Sequence, residues 1–276
     1  MPISIDIPEA KDDTPFNAAF KRLRAIDERF SSYKPSSELC RFQRGEIPAA
    51  DLSAEMKQVI KACTAAKKMT NGYFSAYYGS PVSHLDAVQG SKEERASRTD
   101  AYGERVTDAA DTAMRQKPAG VTGSAGQQGE AVRTRWFDPT GYVKGWAIAE
   151  AGQVIEKLGF KTYCIGAGGD ILARSVGEKT WNIGIQDPSN PGKILNMLSI
   201  TNGAVATSGN YERGAHIINP KTKKPANELL SLSITGPDII TADVLATAGF
   251  AMGKTGVDFV NSQSGYKALA VAREIV

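Results

Sequence analysis

Asp243 and Thr247 stand four residues apart in Thr241-Ala-Asp-Val-Leu-Ala-Thr, so on a helix a carboxylate and a hydroxyl project from one face. Two hard oxygen donors at that spacing suit Mg²⁺, which takes one or two carboxylates and completes its octahedron with phosphate and water oxygens. The plainer alternative is that Asp243 complements a helix dipole and Thr247 bonds back to a carbonyl. Asp138-Pro-Thr-Gly-Tyr-Val-Lys144-Gly145 opens a helix with an acid, a glycine and a lysine. Free N–H groups at a helix start attract anions, and Lys144 adds a positive charge one turn in. Here too a plainer alternative exists, with Asp138 as a cap and Lys144 as a solvated side chain.

Two further stretches carry chemistry-bearing residues. Cys164-Ile-Gly-Ala-Gly168-Gly169-Asp170 places glycines directly after a strand, where backbone N–H groups can approach a phosphate. A dinucleotide fingerprint must open a helix, whereas the next element here is another strand, so that interpretation fails and a tight hairpin remains beside the phosphate one. Ala206-Thr-Ser208-Gly-Asn-Tyr-Glu-Arg-Gly-Ala-His216 combines hydroxyls, glycines and one of the chain's two histidines. His216 is the candidate for proton transfer near neutral pH, and a structural histidine is its alternative. Together, an anion-binding helix start, a glycine turn, a histidine and a Mg²⁺-type pair point to a bound pyrophosphate. No P-loop or kinase signature accompanies them, so the chemistry is metal-assisted phosphoryl transfer of another kind.

These residues need elements to position them. Phe16, Phe20, Leu23, Ile26 and Phe30 line one face of a helix over 14–30. Leu52, Met56, Val59, Ile60 and Cys63 line a second over 52–69, and Ser- and Pro-rich residues 30–39 read as a polar turn between them. A third helix is expected over 142–158, ended by Gly159, and a fourth over 242–252 with Thr241 as its N-cap. Short β-branched runs at 162–165, 171–173, 181–185, 197–200, 204–207, 216–218, 230–234 and 265–273 read as strands with short turns. Consecutive strands of this kind pair antiparallel, so the expected class is α+β, a mixed, mainly antiparallel sheet with packed helices.

Composition bounds what else is possible. The chain has 276 residues, 33 basic against 30 acidic, and a net charge of +3, which leaves no domain-wide basic excess for nucleic acid. Three cysteines without CxxC spacing exclude a disulfide framework and a cysteine-rich zinc site. No leader and no apolar run of membrane-spanning length is evident, so the expected location is cytoplasmic. Residues 86–135 contain no Ile, Leu, Phe or Trp, and are expected to be a polar surface insertion, disordered or loosely helical, in one domain spanning 1–276.

The sequence resembles the FAD:protein FMN transferases, the ApbE-type flavin transferases. The resemblance rests on Phe30-Ser-Ser-Tyr-Lys-Pro-Ser-Ser-Glu-Leu, Asn71-Gly-Tyr-Phe, Asp138-Pro-Thr-Gly-Tyr-Val-Lys-Gly, Gly166-Ala-Gly-Gly-Asp, Ala206-Thr-Ser-Gly-Asn-Tyr, His216-Ile-Ile-Asn-Pro and Ala242-Asp-Val-Leu-Ala-Thr, in the family's order. It implies the T-fold-like ApbE architecture and a Mg²⁺-dependent enzyme. Such an enzyme cleaves FAD as its substrate and moves FMN onto a Ser or Thr hydroxyl of an acceptor flavoprotein. It also implies flavin or adenine contacts for Tyr33, Tyr73 and Phe74, FAD contacts for Asp138 and Lys144, and metal ligation by the Gly141 carbonyl, Asp243 and Thr247. Gly168, Gly169 and Ser208 join the cofactor-binding set, with His216 and Asp243 as the catalytic pair. FAD is expected between the N-terminal helices and the sheet. Hydrolysis of FAD to FMN and AMP, or flavin binding without turnover, are the alternatives. Three departures stand out: the usual Met-Gly-Thr opening is Met1-Pro2 here, Gly-x-Phe-Asp ends in Ser75, and Asn219 replaces a frequent Asp.

Overall fold

The first helix begins where Pro15 sits in its opening turn, a position at which a missing N–H costs nothing. It is α1 (Thr14–Phe30), and it buries Ala19, Leu23, Ile26 and Phe30, as the periodicity requires. The computed structural model describes residues 1–78, 136–210 and 217–273; the expected insertion at 86–135 and His216 lie outside the described residues. Short β1 (Ile3–Asp6) precedes α1. The Ser/Pro-rich segment holds an unexpected helix, α2 (Glu38–Gln43), because the Ser37 hydroxyl accepts from the Cys40 N–H and caps it. Ser53 starts α3 (Ala54–Met69) in the same way, two residues later than expected. Paired β2 (Tyr77–Tyr78) and β3 (Trp136–Phe137) lead into α4 (Thr140–Lys157).

The C-terminal half is strand-rich. β4 (Tyr163–Ala167) and β5 (Asp170–Arg174) form a hairpin, β6 (Trp181–Asp187) and β7 (Asn190–Ile200) another. β8 (Gly203–Gly209), β9 (Leu229–Gly236), α5 (Ile239–Met252), α6 (Thr255–Asn261) and β10 (Lys267–Ala272) complete the chain order. Six strands make an antiparallel sheet in the order β1-β4-β5-β8-β9-β10. The class is α+β. β6 and β7 pair only with each other among the described strands, and the Trp181 indole donates to Asp6 at 2.8 Å to tether that hairpin. Of the run expected as a strand at 216–218, the described residues contribute an isolated bridge from Ile218 to Pro225.

Two apolar clusters hold these layers together. One packs α1, α4 and α5 onto the sheet through Leu23, Ile148, Ile155, Leu232, Ile234 and Leu245. The other lies among α1, α2, α3 and the start of α4, through Phe30, Leu39, Met56, Phe137 and Trp146. α5 is buried on nearly every side, and its N-cap is Asp238, whose carboxylate accepts from the Thr241 N–H at 2.7 Å. Thr241 is therefore inside the first turn and not the cap, because the helix starts three residues earlier, on two isoleucines whose apolar character hid the boundary.

Candidate functional site

The site is built where α4 and α5 run antiparallel in close contact. Gly141 faces Thr247 and Gly145 faces Asp243, so each glycine clears room for one polar side chain of the opposite helix. A Cβ at Gly141 would meet the Thr247 Oγ1 at 3.0 Å, and one at Gly145 would meet the Asp243 Cβ and the Ile239 carbonyl at 2.9 Å. The sequence argument that Asp243 and Thr247 share a face is therefore realised, against the opening turns of α4. Asp243 is 3% exposed. Its Oδ2 accepts from the Gly145 N–H at 2.8 Å, a donor whose partner in a regular helix is the Gly141 carbonyl.

Lys144 lies over this contact. Its ammonium is 2.9 Å from Asp170 Oδ2 and 4.0 Å from Asp243 Oδ1. It is thus a paired side chain rather than a solvated one. Asp170 is fully buried at the start of β5, and its other oxygen accepts from the Thr207 N–H on β8 at 3.1 Å. Asp170 closes the glycine stretch 164–170, and sequence reasoning misses its pairing with Lys144. The available signal is an acid directly after a two-glycine turn, at a position that strand pairing forces inward.

Asp138 sits at the entrance to α4 and is not its formal cap. Its Oδ1 accepts from the Thr140 N–H at 3.0 Å, its own N–H donates to the Ala76 carbonyl, and Pro139 occupies the N-cap position. Burial, with the negative charge of Asp138 adding to it, pushes the Cys63 thiol up to about 12. The glycines at 168 and 169 take φ values of 55° and 86° in a two-residue turn closing β4 onto β5. That is the conformation a tight right-twisted hairpin needs. The Gly168 N–H donates to the Pro2 carbonyl, and Met1 lies against its α-carbon. Of the two alternatives, hairpin closure accounts for this turn.

Tyr33 projects outward, 81% exposed, and the structure does not bring it to the α4–α5 contact. Phe74 is 2% exposed within the N-terminal cluster, with its ring edge against Gly141. The side chain packs in the core and backs the glycine. Tyr73 is half-buried, and Lys221 lies 3.9 Å from its ring centroid. Ser208, 8% exposed, lies on β8 beside Thr207.

The departures have local explanations. Ser75 turns its hydroxyl back on the Tyr77 backbone, donating to the carbonyl and accepting from the N–H. Asn219 donates its amide to the Ala251 carbonyl near the end of α5 and accepts from the Lys221 and Thr222 N–H groups. An aspartate could not make the first of these bonds.

Hard oxygens of Asp243 and Thr247 together with the Gly141 carbonyl suit a divalent cation of the Mg²⁺ kind, which needs few protein ligands. Among the described residues no group of three or more His, Cys, Asp and Glu is assembled, so a cluster-type metal centre is not offered. No described helix is long and apolar enough to cross a membrane.

Comparison with known proteins bears on the family and the fold. The ApbE family model matches residues 1–270. An FAD:protein FMN transferase of Haemophilus influenzae is 25% identical over 247 residues, covering 84% of this chain and 70% of that protein. Among solved structures, the flavin transferase ApbE of Vibrio cholerae superposes with a TM-score of 0.67 at 22% identity, over 98% of this chain and 93% of that one. The ApbE protein of Thermotoga maritima gives 0.67 at 26% identity, over 97% and 89%.

Proposed function

The chain belongs to the ApbE family, and from that premise we propose that it is an FAD:protein FMN transferase that esterifies a Ser or Thr hydroxyl of an acceptor flavoprotein. The observation that carries the proposal is the buried Asp243 at the α4–α5 contact, with Thr247 on the same face and Lys144 within 4.0 Å. Asp243, Thr247 and the Gly141 carbonyl would hold Mg²⁺, which when bound neutralises charge on the FAD pyrophosphate.

The residues of the chain supply the rest. Lys144, with the positive end of the α4 dipole, binds the pyrophosphate oxygens. Tyr73 offers a ring face to the isoalloxazine or adenine, once Lys221 yields that face. Asp138 fixes the entrance of α4 and with it the position of Lys144 one and a half turns on. His216 takes the proton of the incoming hydroxyl as its oxygen bonds to the FMN phosphorus and AMP leaves. The substrate lies between the N-terminal helices and the sheet. A cytoplasmic location is in keeping with three free cysteines, two of them buried.

Mass spectrometry tests this directly. Protein, FAD, Mg²⁺ and a candidate acceptor flavoprotein are mixed, and an FMN-sized mass gain on the acceptor is expected. Free FMN without acceptor modification would mean hydrolysis, and unchanged FAD would reject the enzymatic function. His216→Ala should slow the transfer while leaving Mg²⁺-dependent FAD binding intact, since its role is proton handling.

A further inference from the structure

Among the described residues Asp170 and Asp243 are both acidic neighbours of Lys144, and they are not equivalent. Asp170 holds its ammonium at 2.9 Å, while Asp243 stands 4.0 Å away. Asp170 is fixed on its far side by the Thr207 N–H, on a strand paired to both sides within the sheet. Its carboxylate is completely buried, and a buried charge persists only when paired and hydrogen-bonded. The sheet therefore contributes a fixed anchor to a lysine that belongs to a helix.

We propose that Asp170 is a positioning residue that keeps the Lys144 ammonium on the sheet side of the site, directed at the phosphate and off the carboxylate of Asp243. The proposal rests on the flavin-transferase function above. Its physical content is a competition. An ammonium without Asp170 relaxes toward Asp243, since Coulomb attraction rises as separation falls. There it competes with a divalent cation for the same carboxylate and leaves the place where it would meet a phosphate. Asp170 thereby sets both the reach of Lys144 and the cation affinity of Asp243 while touching neither metal nor substrate.

The test is a double-mutant cycle read by FAD binding. Asp170→Asn keeps an oxygen for the Thr207 N–H and removes the charge facing Lys144. The Mg²⁺ concentration for half-maximal FAD binding, followed by flavin fluorescence, should rise by about tenfold, a size usual for residues in direct contact. The KM for FAD should rise with it. A merely structural role would lower kcat through lost folded enzyme and leave both of those values unchanged. Asp170→Glu, which restores the charge, should recover part of the effect. In a Lys144→Met background, Asp170→Asn should change the Mg²⁺ requirement little, because no ammonium remains to be misplaced. The double variant removes both charges of the pair, leaving no unpaired buried carboxylate, so it remains measurable if Lys144→Met alone folds poorly.

Equal Mg²⁺ requirements for wild type and Asp170→Asn, or effects of the two substitutions that simply multiply, would overturn the proposal. The same cycle with inorganic pyrophosphate as ligand separates this from the flavin function. Protein that binds Mg²⁺ and pyrophosphate but not FAD overturns the flavin function, and the pyrophosphate cycle then decides the role of Asp170 by the same criterion. Protein that binds neither ligand overturns both.

Discussion

Asp243 is the single charged residue of α5, a helix buried along almost its whole circumference. Placing a carboxylate there costs several kcal/mol in desolvation unless partners repay it, so its retention has to be explained by what it binds. The Gly145 N–H and the nearby Lys144 ammonium repay part. Asp243→Asn tests the remainder: an amide oxygen can still accept from Gly145, while the charge that would face a cation is lost. FMN transfer should fall by roughly a hundredfold or more, as when a charge-stabilising group is removed from an active site. The melting temperature should move by only a few degrees. Near-normal turnover at limiting Mg²⁺ would remove Asp243 from the metal site. A different residue-scale outcome concerns Cys63, whose thiol is raised by burial, and secondarily by Asp138, from an ordinary 9.0 to about 12. The folded state thus holds this proton more tightly than the unfolded chain. Its contribution is complete below pH 9 and is lost as pH rises toward 12. Tyr142, raised to about 12 chiefly by burial, acts in the same direction. Urea midpoints should fall steadily above pH 9, and Cys63→Ala should flatten part of that fall; a midpoint independent of pH in this range would contradict the burial argument.

At the scale of elements, the spacing of α4 against α5 matters most. Gly141 and Gly145 would be poor choices in an isolated helix, each costing about 0.5–1 kcal/mol relative to alanine. They are present because α5 leaves no room for a methyl group. Gly145→Ala should therefore destabilise despite its higher helix propensity, by about 1–3 kcal/mol, the usual cost of overpacking. It should also impair FAD binding, since separating the helices pulls Asp243 from the opening turns of α4. Chemical denaturation and an FAD titration on the same variant check both parts, and a more stable protein would show that the contact is slack. The sequence made these helices legible where an apolar stripe is one-sided, as in α1, whose bounds agree with expectation. It missed the first three residues of α5, where burial on all sides erases the periodicity that marks a boundary, and it missed α2, a short helix dependent on its Ser37 cap. That Asp243 and Thr247 share a face was legible because helical spacing is a local property, and the stretch with Gly141 and Lys144 was legible as a helix start; a role for the Gly141 carbonyl came only from the family resemblance. Asp170 and the burial of Phe74 were not legible, because each depends on which distant strand or helix lies opposite.

At the scale of the molecule, the two apolar clusters are continuous: Ala147 and Ile240 pack against both. Arg22 reinforces the joint by pairing with Glu55 on α3 and Glu150 on α4. Residues 78 and 136, which flank 79–135 in the sequence, are neighbours, because Tyr78 pairs directly with Trp136 across the β2–β3 ladder. That small ladder is well anchored. Phe137 is 1% exposed and packs 5.2 Å from the Tyr77 ring, the Gln43 amide donates to its carbonyl at 2.7 Å, and the Asp138 N–H donates to Ala76. Two strands whose facing residues are paired can be joined by two residues, and Asn-Gly supplies the positive φ values that such a turn requires. Replacing 79–135 by Asn-Gly should therefore preserve the Tyr77–Phe137 register and the entrance to α4. The composition of 86–135, without Ile, Leu, Phe or Trp, supplies little apolar area that the remaining chain would miss. The shortened protein should be soluble and melt in one cooperative transition. Shortening the connection between Tyr78 and Trp136 should raise stability slightly, because closure entropy grows with length. FAD binding should persist, since no residue of the α4–α5 contact is removed. Loss of cooperative melting would show that residues 79–135 contribute packing to the fold; a cooperative melt with loss of FAD binding would place part of the substrate site within them.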